Sequence, residues 1–373
     1  MKVRKVLIFA IVTCIGLATV CLPVLGVNRA IYAAQVKKRE ASAPPEKSAQ
    51  VGVVVDQEFT AYRHQVLERF RKQDYSWIDR EAGKLRVSKE RLPGGYWKLK
   101  ALYDAIYTPA GEQASDGDWQ DQITKLEGWV QQRPQSITPR VALAEAWWSY
   151  AWKARGTGKA ETVSDVAWEV FNKRLSIAAQ VLYEAATLKE KCPEWYVTSL
   201  RVGLSQSWDR EVFERLFAEA VKLEPTYYYL YQAKAIYLLP RWFGMEGEWE
   251  RFAEESALRV GGHEGDIIFF AIYSGMLSIH DITFMNSHQL AWPRLKAGFR
   301  SIEKLYGMAP HRLNQACYFA VSSGDKKTAV ELFDRIGEEF DKTVWRSKTN
   351  FDMFRGTLNG VKMDPHKQQD SAQ

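Results

Sequence analysis

Trp148 and Trp152 stand four residues apart, which places both indoles on one face of a helix, and Arg155 follows within a turn beside Gly156. A second pair, Arg241-Trp242, closes a helical stretch beside Gly244. Tryptophan and arginine together supply flat apolar area, a fixed N–H donor and cation–π contact, the chemistry that anchors binding surfaces. The same spacing also suits a helical core, and an arginine at a helix end also serves terminal carbonyls. These five residues are the candidate contacts to a ligand or peptide.

Other reactive types offer less. The acids Asp116, Asp118 and Asp121 surround Trp119, and Glu246, Glu248 and Glu250 lie near Trp242 and Trp249. Glycan hydrolysis would require two such carboxyls about 5–10 Å apart across a cleft, one with a raised pKa. First-turn acids also favour helix N-termini, which is the plainer reading of both clusters. The histidines are His64, His263, His280, His288, His311 and His366; His263-Glu264 lacks the second histidine four residues on that a two-ligand helical face needs, so no metal site is assigned. Cys14 and Cys21 fall in an apolar leader. Cys192 precedes Pro193 at a helix junction and Cys317 lies in an apolar helix, so both read as buried lone thiols. No nucleophile elbow, phosphate loop or dinucleotide fingerprint is present, so no cofactor is expected.

The chain of 373 residues carries a net charge of +6, all of it within residues 1–50, and the remainder is neutral. A neutral body lacks the one-sided basic field that nucleic-acid binding draws on, so no nucleic-acid partner is expected. Met-Lys-Val-Arg-Lys opens the sequence, and Val6 to Val27 then run 22 residues without a charge. That length exceeds the usual apolar core of a cleaved signal and reaches the span of a bilayer, which favours an anchor through residues 6–27. Small residues before a cut after Gly26 keep cleavage and secretion open as the alternative. Lys2, Arg4 and Lys5 would remain cytoplasmic and place the body in the periplasm or outside an inner membrane. The expected organisation is a signal or anchor over 1–34, a linker over 35–57 containing Pro44-Pro45, a helical-repeat body over 58–360 and a frayed tail over 361–373.

Helical periodicity dominates the body. In 211–223, Val212, Phe213, Leu216, Phe217, Ala220 and Val221 take one side and charged residues the other, before Pro225. Asp325 is placed to cap a helix carrying Ala329, Leu332, Phe333, Ile336 and Phe340. The triplets Ala178/Leu182/Ala185, Phe213/Phe217/Ala220, Ala253/Ala257/Val260, Leu295/Phe299/Ile302 and Ala329/Phe333/Ile336 recur at intervals of 35, 40, 42 and 34 residues. Such periods fit a helix pair with its turns. The full tetratricopeptide signature is absent, which predicts an all-α fold: an irregular tetratricopeptide-like α/α superhelix of about six to eight helical hairpins.

Three segments resemble a bacterial family known as domain-of-unknown-function family 4034. They are Ala151-Trp152-Lys153-Ala154-Arg155-Gly156-Thr157-Gly158, Cys192-Pro193-Glu194-Trp195, and Tyr231 through Leu238-Leu239-Pro240-Arg241-Trp242-Phe243-Gly244-Met245-Glu246-Gly247-Glu248-Trp249. The resemblance covers most of 58–345. It implies a helical-repeat fold and an exported or envelope setting, and it brings no assigned activity or catalytic residue.

The expected function is a non-enzymatic module for a protein or peptide partner in the cell envelope. The alternative is an α/α-type glycan hydrolase with a Trp-lined cleft.

Overall fold

The structure, a computed structural model, describes residues 54–109, 114–156, 158–279 and 291–358. The fold is all-α and repeat-like, as the periodicity predicts. Helices α1 (Val54–Arg71) and α2 (Tyr75–Ser88) lead to a two-residue antiparallel pair, β1 (Arg91–Leu92) with β2 (Tyr96–Trp97). Thereafter come α3 (Lys98–Asp104), α4 (Asp116–Gln132), α5 (Ile137–Arg155), α6 (Asp165–Ala186), α7 (Pro193–Ser205), α8 (Arg210–Leu223), α9 (Tyr228–Tyr237) and α10 (Glu248–Val260). The series ends with α11 (Gly262–Ile279), α12 (Trp292–Tyr306), α13 (Pro310–Ser322), α14 (Lys326–Ile336), α15 (Lys342–Trp345) and α16 (Lys348–Leu358). The described body forms two compact units, Glu58–Leu92 with Tyr96–Ala253, and Pro93–Gly95 with the residues from Glu254 onward.

Local chemistry fixes the helix starts. Asp74, Ser136, Ser164 and Asp325 each accept a backbone N–H of the first turn of α2, α5, α6 and α14, and Ser115 with Asp118 completes a reciprocal box at α4. Pro193, Pro293 and Pro310 occupy the first turns of α7, α12 and α13, where a missing N–H is harmless. The helix after Asp325 stops at Ile336 because Gly337 takes φ 62°, so Phe340 lies beyond it rather than on its apolar face.

Within each unit, helices pack in sequential pairs. In the first unit α5 lies against α6 and α7 against α8; in the second α11 lies against α12 and α13 against α14. The two members of a pair differ in kind. Helices α7 and α13 are buried on almost every side, whereas α8, α12 and α14 bury one stripe and turn charges outward. Four of the five predicted triplets, those on α6, α8, α12 and α14, are fully buried, and on α10 only Val260 is half-buried. The repeat signal therefore lies on the amphipathic member of each pair. Close approach adds a further constraint in the second unit, where a Cβ on Gly298 of α12 would meet the Phe270 Cβ of α11 at 2.6 Å.

Among the described residues no helix is long and apolar enough to cross a membrane. The expected span 6–27, the Cys14 and Cys21 leader thiols, most of the 35–57 linker, His280, His288, His366 and the 361–373 tail lie outside the described residues. Helix α1 takes in the last four residues of that linker.

Candidate functional site

Two polar assemblies stand out in the first unit, and they share one residue. The first is an interior ionic network that sequence reading did not single out. The Lys100 ammonium on α3 bonds the Asp104 carboxylate one turn on and lies 3.2 Å from Glu194 Oε1 of α7, an ion pair without hydrogen-bond alignment. The Tyr227 hydroxyl donates to Glu194 Oε2 at 2.7 Å. Next to it, Glu145 of α5 accepts from the Thr198 hydroxyl at 2.8 Å and from the Arg201 guanidinium. Glu194 and Thr198 are wholly buried, Glu145 is 1% exposed and Lys100 4%. Burial pushes the Glu194 carboxyl above its ordinary range, only partly offset by Lys100. Burial alone would depress Lys100, but Asp104 and Glu194 outweigh it and hold the ammonium above its usual value. These charges escaped notice in the sequence because Lys100, Glu145 and Glu194 come from three helices and share no spacing motif.

The second assembly is a corner of indoles built from the predicted residues. Trp148 and Trp152 lie 6.2 Å apart, and both Nε1 groups donate to Ser205 Oγ at the end of α7, at 3.1 and 3.3 Å. Trp152 meets Phe171 of α6 edge-on at 5.3 Å and Trp242, beyond α9, edge-on at 6.3 Å. Trp168 adds its edge to Phe171 at 5.5 Å, and Ala151, Phe171 and Leu175 form the buried floor. All four indoles are half-buried. Helix α5 ends at Gly156, φ 72°, and the chain turns back so that Arg155 donates through one nitrogen to the Gly156 and Gly158 carbonyls at 3.0 and 2.7 Å. The same guanidinium sits between two rings, 5.3 Å from Trp152 and 5.4 Å from Trp168. Arg201 joins the two assemblies, since it bonds Glu145 on one side and lies 5.3 Å from the Trp148 ring on the other.

The structure thus brings Trp148, Trp152, Arg155 and Trp242 together, with Arg241 next in chain to Trp242. The Trp242 Nε1 atom is shielded from solvent and makes no hydrogen bond. Arg241 is exposed, forms no ion pair among the described residues, and partial burial draws its pKa below the usual guanidinium value.

The acids serve helix ends. Asp116 pairs with Lys153 at 2.6 Å, Asp118 accepts from the Ser115 N–H and hydroxyl at 2.7 Å each, and Glu248 accepts the Met245 N–H at 2.9 Å and binds Arg210. Their neighbouring tryptophans are structural: Trp119 stacks on Tyr150 at 5.3 Å and is 7% exposed, and Trp249 is 1% exposed. A surface cleft of about 460 Å³ lies at Asp79, Arg86, Arg133, Ser136 and Glu190. Its inner charges are mutually paired, Arg86 with Glu190 at 2.5 Å and Arg133 with Asp79 at 3.7 Å. Among the described residues no group of three or more His, Cys, Asp or Glu side chains is arranged to hold a metal ion. His263 Nδ1 contacts Ser301 Oγ at 2.9 Å, His311 Nδ1 contacts Asp341 at 2.6 Å, and His64 is exposed. Cys192 and Cys317 are both buried free thiols.

Compared with known proteins, the chain matches no family model, and no curated protein or solved structure is similar to it.

Proposed function

We propose that this chain is a non-enzymatic interaction module, tethered to the bacterial inner membrane by its apolar N-terminal segment, whose helical repeats offer the Trp148/Trp152/Trp242 corner to a protein or peptide partner in the envelope. The observation that carries the reading is the convergence of three half-buried indoles from two distant segments of chain on Trp152, with the Arg155 guanidinium 5.3 Å from the Trp152 ring. Large aromatic surface beside guanidinium groups is the composition that concentrates binding energy in interfaces. Kinship with family 4034 and the envelope setting belong to the same proposal; they rest on the three matching segments and on the uncharged run from Val6 to Val27. The glycan-hydrolase alternative gains nothing from Asp116, Asp118 and Glu248, which are engaged in caps and ion pairs.

The test is crosslinking of the full-length protein in native cells, followed by mass spectrometry of captured partners and of the mature N-terminus. A reproducible partner lost in the Arg241→Ala, Trp242→Ala double variant, with the helical circular-dichroism signal unchanged, is the expected result. Loss of the helical signal together with capture would make the pair structural and remove the reading.

A further inference from the structure

We draw no further inference here: the strongest candidate, the surface cleft of about 460 Å³ lined by Asp79, Arg86, Arg133, Ser136 and Glu190, has its inner charges paired with one another, Arg86 with Glu190 and Arg133 with Asp79, and nothing in the structure shows what it would hold.

Discussion

The ionic network and the indole corner lie on adjoining stretches of α5 and α7, yet they treat polar groups in opposite ways. Around Glu145 and Glu194 each buried charge meets an opposite charge or a hydroxyl. At the corner the Trp242 Nε1–H has no acceptor, and among the described residues Arg155 donates to backbone carbonyls rather than to an acid. A charge removed from water must be compensated for the fold to persist, so the network is committed to stability. The corner is half-exposed, and water can serve Arg241. The contrast separates a part of the molecule whose buried charges are compensated within the fold from a half-exposed part whose polar groups are not all paired.

The largest expected effect comes from breaking the network on one side. Lys100→Met leaves Asp104 and the buried Glu194 carboxylate facing each other without their cation, which should cost about 3–5 kcal/mol in urea unfolding of the full chain. Adding Glu194→Gln removes the stranded charge while keeping an acceptor for Tyr227, and should restore most of the loss. Failure of the double variant to recover would assign the loss to packing instead. The pH dependence has a defined sign. Glu194 has a folded pKa raised above its unfolded value near 4.3, so the folded state retains a proton that the unfolded state has released, and the group's contribution falls as pH rises through that window. The deficit of Lys100→Met should therefore shrink toward acid pH.

Caps in the second unit have the reverse sign and a smaller size. Asp325 accepts the Thr328 N–H at 3.1 Å, the Trp292 indole N–H at 2.9 Å and the Thr328 hydroxyl at 2.8 Å, and together these bonds hold its carboxyl well below the usual range in spite of partial burial. Its stabilisation is present above the unfolded value near 4 and is lost as pH falls below it. Asp325→Ala should cost about 0.5–2 kcal/mol at neutral pH, with the difference from the parent protein vanishing in acid. A difference that persists unchanged in acid would mean that the side chain acts through packing rather than as an ionised cap.

How much of this was legible in the sequence follows from the range of each signal. The triplets on α6, α8, α12 and α14 were readable because an amphipathic helix writes its buried stripe at fixed local spacing. The cap at Asp325 lies within three residues of its target and is similarly local. The fully buried α7 and α13 carry no polar face to set a period, so their alternation with amphipathic partners emerged only in three dimensions. Trp148, Trp152 and Arg155 were readable as one helical group, but their meeting with Trp242 depends on how α9 packs on α7. The Lys100/Glu145/Glu194/Arg201 network was invisible for the same reason: each charge is ordinary in its own helix and acquires meaning only from its neighbours.

The smallest effects test the boundary between the two regions, on two indoles of a single corner. Trp148 Nε1 donates to Ser205, and its ring lies beside Arg201 of the network, so Trp148→Phe should lose about 1 kcal/mol of stability with the hydrogen bond. Trp242 Nε1 has no acceptor, so Trp242→Phe loses no hydrogen bond; relief of the shielded N–H opposes the lost ring contact with Trp152, and the net change should be less than about 0.5 kcal/mol. Arg241→Gln, which breaks no ion pair, should be equally silent. Comparing the unfolding midpoints of these three variants at neutral pH therefore measures where the stability-bearing part of the first unit ends. A loss of more than about 1 kcal/mol at Arg241 or Trp242 would move them into the structural group and leave the corner without a free side. Silence at both, beside a measurable loss at Trp148, would place the division between the α5 face that meets Ser205 and the segment after α9.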